Sequence, residues 1–366
     1  MHWRAIAEET EHAEACGDLW KLYQMVKHTG HGAAGVSEAL LSQDGVVIAN
    51  LSERLVRWIE HFDDLLNHPT PMTGVAMTPF EEYECYTAPP TLVEVQEILR
   101  RLRNNEALSE DGIPAEVYKA VPEVFGPWVH RVFTAIRRSE TFPVDWRKAI
   151  LLPFFKKSDR NVCSNYIISL IDVVAKAFAV LLLRRFQGVR DLQTRLSQSC
   201  FRPGRSRTDH IFNLWRTLEQ RWAYQQPTVL YFVNFTAAFD SVDRGSLWRI
   251  MQADGMPVKL LRLIKGYYLP THSRVRVYGG ESETFEVKTG VRRICALSPT
   301  LFNHAIDYIL NEALRDYKGV AAGRNVKLVD LAYADDVVLV GSNGDEMQAA
   351  ACTVGMSINA PKTKVM

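Results

Sequence analysis

The sequence predicts an α+β fold in which a small antiparallel sheet is backed by helices. Residues 228–235, TVLYFVNF, are almost continuously apolar and β-prone, as in a buried central strand. Residues 328–341, LVDLAYADDVVLVG, are two apolar runs flanking a short acidic turn, which reads as a hairpin with Asp335 and Asp336 at its apex. The chain before them is mostly helical in period, and strands and helices do not alternate as a parallel array requires.

Taken in order, residues 1–67 read as helices interrupted by a turn-rich loop. In ERLVRWIEHFDDLLN (53–67), Leu55, Trp58, Ile59, Phe62, Leu65 and Leu66 follow the helical period, and Pro69 and Pro71 end the helix. Residues 69–90 form a Pro/Thr/acidic linker, so 1–90 is expected to be a helical extension and 91–366 the main domain. The next helix opens on a capping box, Thr91 with Glu94, carries Val95, Ile98, Leu99 and Leu102 inward, and stops at Asn104-Asn105. Residues 115–225 are mostly helical, broken by the strand candidate AILLPFF (149–155). SRVRVY (273–278) alternates by two and turns at Gly279-Gly280 into TFEV (284–287), a second hairpin. Three or four strands are expected in all.

Composition narrows the function classes. The 366 residues are 47% hydrophobic, enough for a substantial core, and 23% charged without low-complexity tracts. No apolar run approaches the roughly 20 residues that span a bilayer, and MHWRAIAEET lacks the apolar stretch of a signal peptide. A soluble protein of the nucleus or cytoplasm, without a membrane partner, is the expectation. The six cysteines include no Cys-x-x-Cys pair, which argues against structural zinc. The net charge of +1 is low for a nucleic-acid-binding chain, so local clusters carry that possibility: Arg137-Arg138, Arg147-Lys148, Lys156-Lys157, Arg184-Arg185, and Arg202, Arg205 and Arg207. On their own such clusters are more often solvated surface.

Two adjacent aspartates on an apolar hairpin raise each other's pKa, a cost that a divalent cation relieves. The plain alternative is an exposed turn, where Asp is common. A third carboxylate on a neighbouring strand would favour the metal reading, because phosphoryl-transfer sites hold two cations between such groups.

Taken together, these segments resemble the reverse transcriptases of non-LTR (LINE-type) retrotransposons. YADD (333–336) resembles their active-site hairpin, and FVNFTAAFDSVDR (232–244) the strand and turn that carry their other catalytic Asp. TGVRRICALSPTLFN (289–303) resembles the loop and helix that grip template and nucleotide, and CFRPGRSRTDHIF (200–212) the template-contact segment. WRKAILLPFFKKSDRNVCSNYIISL (146–170) looks like the fingers segment, and GMSINAPKTKVM (355–366) like the one whose lysine faces the triphosphate. RWIEHFDDLLN (57–67) and DGIPAEVYK (111–119) resemble the stretch before the polymerase.

The resemblance implies a right-hand polymerase core of fingers and palm, RNA template and DNA primer as partners, and a two-Mg²⁺ site without a small-molecule cofactor. Asp335 and Asp336 match the metal-binding pair, Phe239 the bulky residue that excludes a ribose 2′-OH, and Lys362 the lysine near the leaving pyrophosphate. Arg202, Arg205 and Lys156 match phosphate contacts.

Departures from the pattern point to impaired catalysis. Asn234 stands at the first catalytic Asp, and one neutral oxygen cannot bridge two cations as a carboxylate does. Arg293-Ile294 replaces Gln-Gly, Ile167-Ile168 replaces an Arg and a small residue, and Glu106 stands where Lys is usual. The segment between Asp336 and Gly355 looks shortened, and the chain is expected to lack an endonuclease and a thumb. The sequence thus suggests a degenerate or truncated copy. The alternative is a non-catalytic nucleic-acid-binding relic of the same fold.

Overall fold

In the computed structural model, residues 40–69, 77–154, 163, 166–235, 237–269, 271–292, 295–323, 326–341 and 364–365 are described. Two short strands, β1 (Leu40–Leu41) and β2 (Val47–Ile48), pair antiparallel where the sequence suggested only a turn-rich loop. The amphipathic helix α1 (Leu51–Leu66) follows, capped by the Asn50 side chain accepting from the Ser52 amide, and buries Trp58, Phe62 and Leu66. Helix α2 (Leu92–Arg100) has the expected capping box, with Val95, Ile98 and Leu99 buried. It ends before Asn104-Asn105, where the positive φ of Asn105 turns the chain. Helices α3 (Ala115–Ala120) and α4 (Pro122–Ser139) lead to β3 (Lys148–Phe154) and β4 (Tyr166–Leu170).

Helix α5 (Val173–Gln193) is followed by α6 (Arg207–Ala223), β5 (Val229–Asn234), α7 (Ala238–Ser241), α8 (Arg244–Ala253) and α9 (Val258–Tyr268). Then come β6 (Thr271–Val277), β7 (Gly280–Glu281), β8 (Phe285–Val287) and α10 (Ser298–Ala313). The strands β9 (Val320–Gly323), β10 (Val326–Leu328), β11 (Asp330–Tyr333), β12 (Asp336–Gly341) and β13 (Lys364–Val365) complete the described elements.

The result is a mixed α/β protein whose sheets are mainly antiparallel. One sheet runs β11-β12-β5-β13, and a second runs β4-β3-β6-β7 with β8 also on β6. The β3–β6 pairing is parallel, a detail the sequence did not suggest, since more than a hundred residues separate the two strands. The main core joins α2, α4, α5, α9 and α10 to one face of the first sheet through Val233, Val337 and Leu339. A smaller core packs α1 onto the second sheet through Trp58, Phe62, Leu151, Val275 and Val287. Tyr83 sits in the main core and Leu66 accepts from Thr289, so residues 51–69 and 77–90 are bound to the rest. No helix among the described residues is long and apolar enough to cross a membrane.

Beside the first sheet, the irregular segment Ser197–Cys200 lies against the free side of β11. The Ser199 amide donates to the Ala332 carbonyl at 3.0 Å, and the Ala332 amide to the Ser197 carbonyl at 2.9 Å.

Helix α10 buries two ionisable residues. Asp307 pairs with Arg190 of α5 at 2.5 Å, both almost fully enclosed, and His304 Nδ1 lies 2.5 Å from Asp254 Oδ2. Burial, reinforced by the Arg190 charge, holds the His304 imidazole down at about 4 despite Asp254. A histidine that is harder to protonate when folded contributes stability above its unfolded value of roughly 6.5, lost as pH falls towards its folded value. The gap corresponds to about 3 kcal/mol when fully developed. Asp307, pushed up by burial against the pull of Arg190, acts in the opposite sense. The expected result is therefore a difference. Between pH 7 and 5, wild type loses stability to urea faster than a His304→Gln variant, in which Asp307 still contributes. Parallel pH profiles would disprove the assignment.

Candidate active site

Strand β5 has alternate residues on opposite faces. Val233 and Tyr231 face the main core, while Leu230 and Phe232 pack with Val338 and Val340 of β12 against Leu214 and Leu218 of α6. Asn234, two residues beyond Phe232, lies on this second face at the strand's end. The register places Asp336 directly opposite Asn234, and Tyr333 opposite Asp336. Directly opposed residues have Cβ atoms about 4.5–5.5 Å apart. Residues a hundred positions apart are thereby brought to one end of the sheet.

The hairpin between β11 and β12 has two loop residues, Ala334 and Asp335, so Asp336 is the first residue of a strand rather than part of the apex. Ala334 has the positive φ, +56°, that the primed turns of two-residue hairpin loops demand at their first central position, although Gly, Asn or Asp is usual there. Asp335 is half-buried and Asp336 exposed. Their negative charge is felt nearby: burial pushes the Cys200 thiol up, Asp335 and Asp336 add to the shift, and a hydrogen bond with Tyr333 opposes it.

Phe239 lies on α7, just past the left-handed Ala237 (φ +47°). Its ring stacks on Phe302 of α10 at 4.2 Å and 17°, and meets Phe201 edge-on at 6.4 Å. The loop before α10 fixes the same turn. The Val291 amide donates to the Phe239 carbonyl at 2.8 Å, the Thr289 hydroxyl to that of Asp240 at 2.9 Å, and the Gly290 amide to that of Val242 at 2.8 Å. Gly290 has φ +75°, and a Cβ there would lie 2.7 Å from the Asp240 carbonyl oxygen. Arg244 is almost wholly buried beneath this loop. It donates to the carbonyls of Gly290, Tyr268 and Val287, and burial and then the Arg292 charge pull its pKa down to about 10.

The predicted basic contacts divide. Arg202 directs its guanidinium inward, donating to the carbonyls of Arg195, Gln198 and Asp191 at 2.8, 3.0 and 2.6 Å. Arg205 is exposed. Lys156, Lys362, Arg293 and Ile294 lie outside the described residues. Glu106, noted as a charge reversal, pairs with Lys176 at 2.8 Å, so the fold accommodates it. Gln198, fully buried and bonded to the hairpin turn, was missed: nothing in LSQSC marks a polar side chain for burial.

The donor set at the sheet end, two carboxylates and an amide oxygen, is of the hard oxygen kind that Mg²⁺ takes. Among the described residues no group of three His, Cys, Asp or Glu comes together to hold a metal, in keeping with an amide at 234. The set is one carboxylate short of the one the sequence pattern implies for two cations.

The family model described as reverse transcriptase (RNA-dependent DNA polymerase) matches residues 156–366. The chain is 27% identical over 281 residues to the "Transposon TX1 uncharacterized 149 kDa protein" of Xenopus laevis, covering 76% of this chain and 21% of that one. It is 26% identical over 316 residues to the "Probable RNA-directed DNA polymerase from transposon X-element" of Drosophila melanogaster, covering 81% and 33%. A match to the Pol polyprotein of the type-1 retrotransposable element R2 of Popillia japonica spans 132 residues at 26% identity, covering 34% of this chain and 22% of that one. The chain belongs to the reverse transcriptase family, and to its non-LTR retrotransposon kind. It spans no more than about a third of the length of these relatives.

Proposed function

We propose that this chain is the template-directed DNA polymerase module of a non-LTR retroelement, with catalysis impaired at one position. The observation that carries the reading is the register that sets Asn234 against Asp336, with Asp335 on the adjoining turn. The sheet β11-β12-β5-β13, backed by α10, serves as palm. Segment 146–170 belongs to the fingers, residues 91–366 are the polymerase, and 1–90 the extension before it. RNA template and DNA primer are the partners.

In this reading Asp335 and Asp336 hold Mg²⁺, with the Asn234 amide oxygen as a weaker third donor. Bound there, the cation supplies charge stabilisation at the transferring phosphate. Phe239, wedged against Phe302, presents a fixed ring edge that excludes a ribose 2′-OH. The family pattern assigns Lys362 to the leaving pyrophosphate, and Arg205 and Lys156 to phosphates. Arg202 supports this by shaping the segment that carries Arg205, since its own donors are engaged.

Binding to a primer–template duplex tests the polymer part of the proposal. If about four phosphates are neutralised, raising salt from 50 to 200 mM weakens binding by roughly a hundredfold, without sequence preference. Fluorescence anisotropy with two unrelated duplexes reads both. Tight, salt-insensitive binding to one of them contradicts the proposal.

A further inference from the structure

We infer that Gln198 is the positioning residue of the turn that carries Asp335 and Asp336, an inference that rests on the metal-binding reading of that turn. Its side chain is fully buried beside the hairpin. The Gln198 Oε1 accepts from the Ala334 amide and from the Cys200 amide, each at 3.0 Å, and its Nε2 faces the Ala334 carbonyl at 3.4 Å. One carboxamide therefore holds both backbone polar groups of Ala334, 136 residues along the chain.

Ala334 is the residue that needs such a hold. The β11–β12 pairing ends at Tyr333 and Asp336, and Ala334 sits at φ +56°, where L side chains rarely settle unaided. Relaxing that torsion rotates the next peptide, and with it the direction in which Asp335 leaves the turn relative to Asn234. Pairing of segment 197–199 with Ala332 uses backbone groups alone. Besides bonding the Cys200 amide, the side chain thus adds to that pairing a hold on the turn itself.

The test compares Gln198→Met, similar in length but without the amide, with Gln198→Glu, which keeps the accepting oxygen. The probe is Mn²⁺ alone, followed by electron paramagnetic resonance, with hydrogen exchange of the Ala334 amide as a second readout. Partners that orient a metal ligand from outside its first shell change metal affinity by about 10–100-fold. Gln198→Met is expected to weaken Mn²⁺ binding by at least about tenfold and to speed Ala334 exchange, with the circular dichroism spectrum unchanged. Gln198→Glu is expected to recover most of the affinity. Should Gln198→Met not fold, Gln198→Asn, one methylene too short to reach Ala334, takes its place. Wild-type Mn²⁺ affinity in the Met or Asn variant, with binding abolished by Asp335→Ala, makes Gln198 merely structural and overturns the inference. Mn²⁺ binding untouched by Asp335→Ala overturns the metal reading itself, and the inference with it.

Discussion

With Mg²⁺ and an RNA template, the unmodified chain is expected to extend a DNA primer about a thousandfold more slowly than its Asn234→Asp variant. A bound cation supplies several kcal/mol at the transition state, and forfeiting about 4 kcal/mol corresponds to that factor. Asn234 reduces the charge available to the cation where the register places it against Asp336. The effect reaches both occupancy of the site and alignment of the primer 3′-OH. Restoring the carboxylate repairs that part alone. Ile294 still stands where the family pattern has glycine, so Asn234→Asp with Ile294→Gly is expected to extend faster than Asn234→Asp by itself. Labelled deoxynucleotides and a gel assay read all three. Robust extension by the unmodified chain, abolished by Asp335→Ala, would show that the amide suffices.

The second large effect is on stability. Gly290→Ala is expected to destabilise the fold by about 3 kcal/mol or more, the range of changes that force backbone to move in a packed region. The added methyl would lie 2.7–3.0 Å from the backbone of Asp240, and the residue would keep φ +75°. Neither neighbour can yield easily, because Thr289, Gly290 and Val291 all bond to the α7 turn and Arg244 closes the loop from below. Gly45→Ala is the control. It has φ +80° but open space around it, so only the torsional strain of about 1 kcal/mol is expected. Urea midpoints separate the two. Equal losses would show that the close approach at Asp240 is relieved by a small shift.

What could be read in the sequence was local. An eight-residue apolar run is legible as a strand because few polar groups interrupt it, and Thr91 with Glu94 is legible as a helix start because a capping box needs only four positions. Register is different. That Asn234 faces Asp336 follows from a pairing across a hundred residues, and the hairpin pattern fixed only that the aspartates lie near a turn. The exchange at Arg202 has a chemical cause: a guanidinium that suits phosphate oxygens suits backbone carbonyls equally well. The buried ionisable residues Arg190, Asp307 and His304 were invisible for the same reason as Gln198. Each is a polar residue on a stretch without strong amphipathic contrast, and its partner lies 50 to 136 residues away.

The short segment beside β11 has a consequence for how this protein behaves in concentrated solution. An outer strand offers a row of unmet amides and carbonyls to any extended chain that drifts past, the route by which sheets join edge to edge and precipitate. Here the chain supplies its own visitor. The backbone of Ser197 and Ser199 occupies the amide and carbonyl of Ala332, in a direction parallel to β11, before another molecule can. Weakening this segment would cost more than geometry at the aspartates. It would expose an apolar strand edge and favour self-association in a protein that a net charge of +1 does little to keep apart.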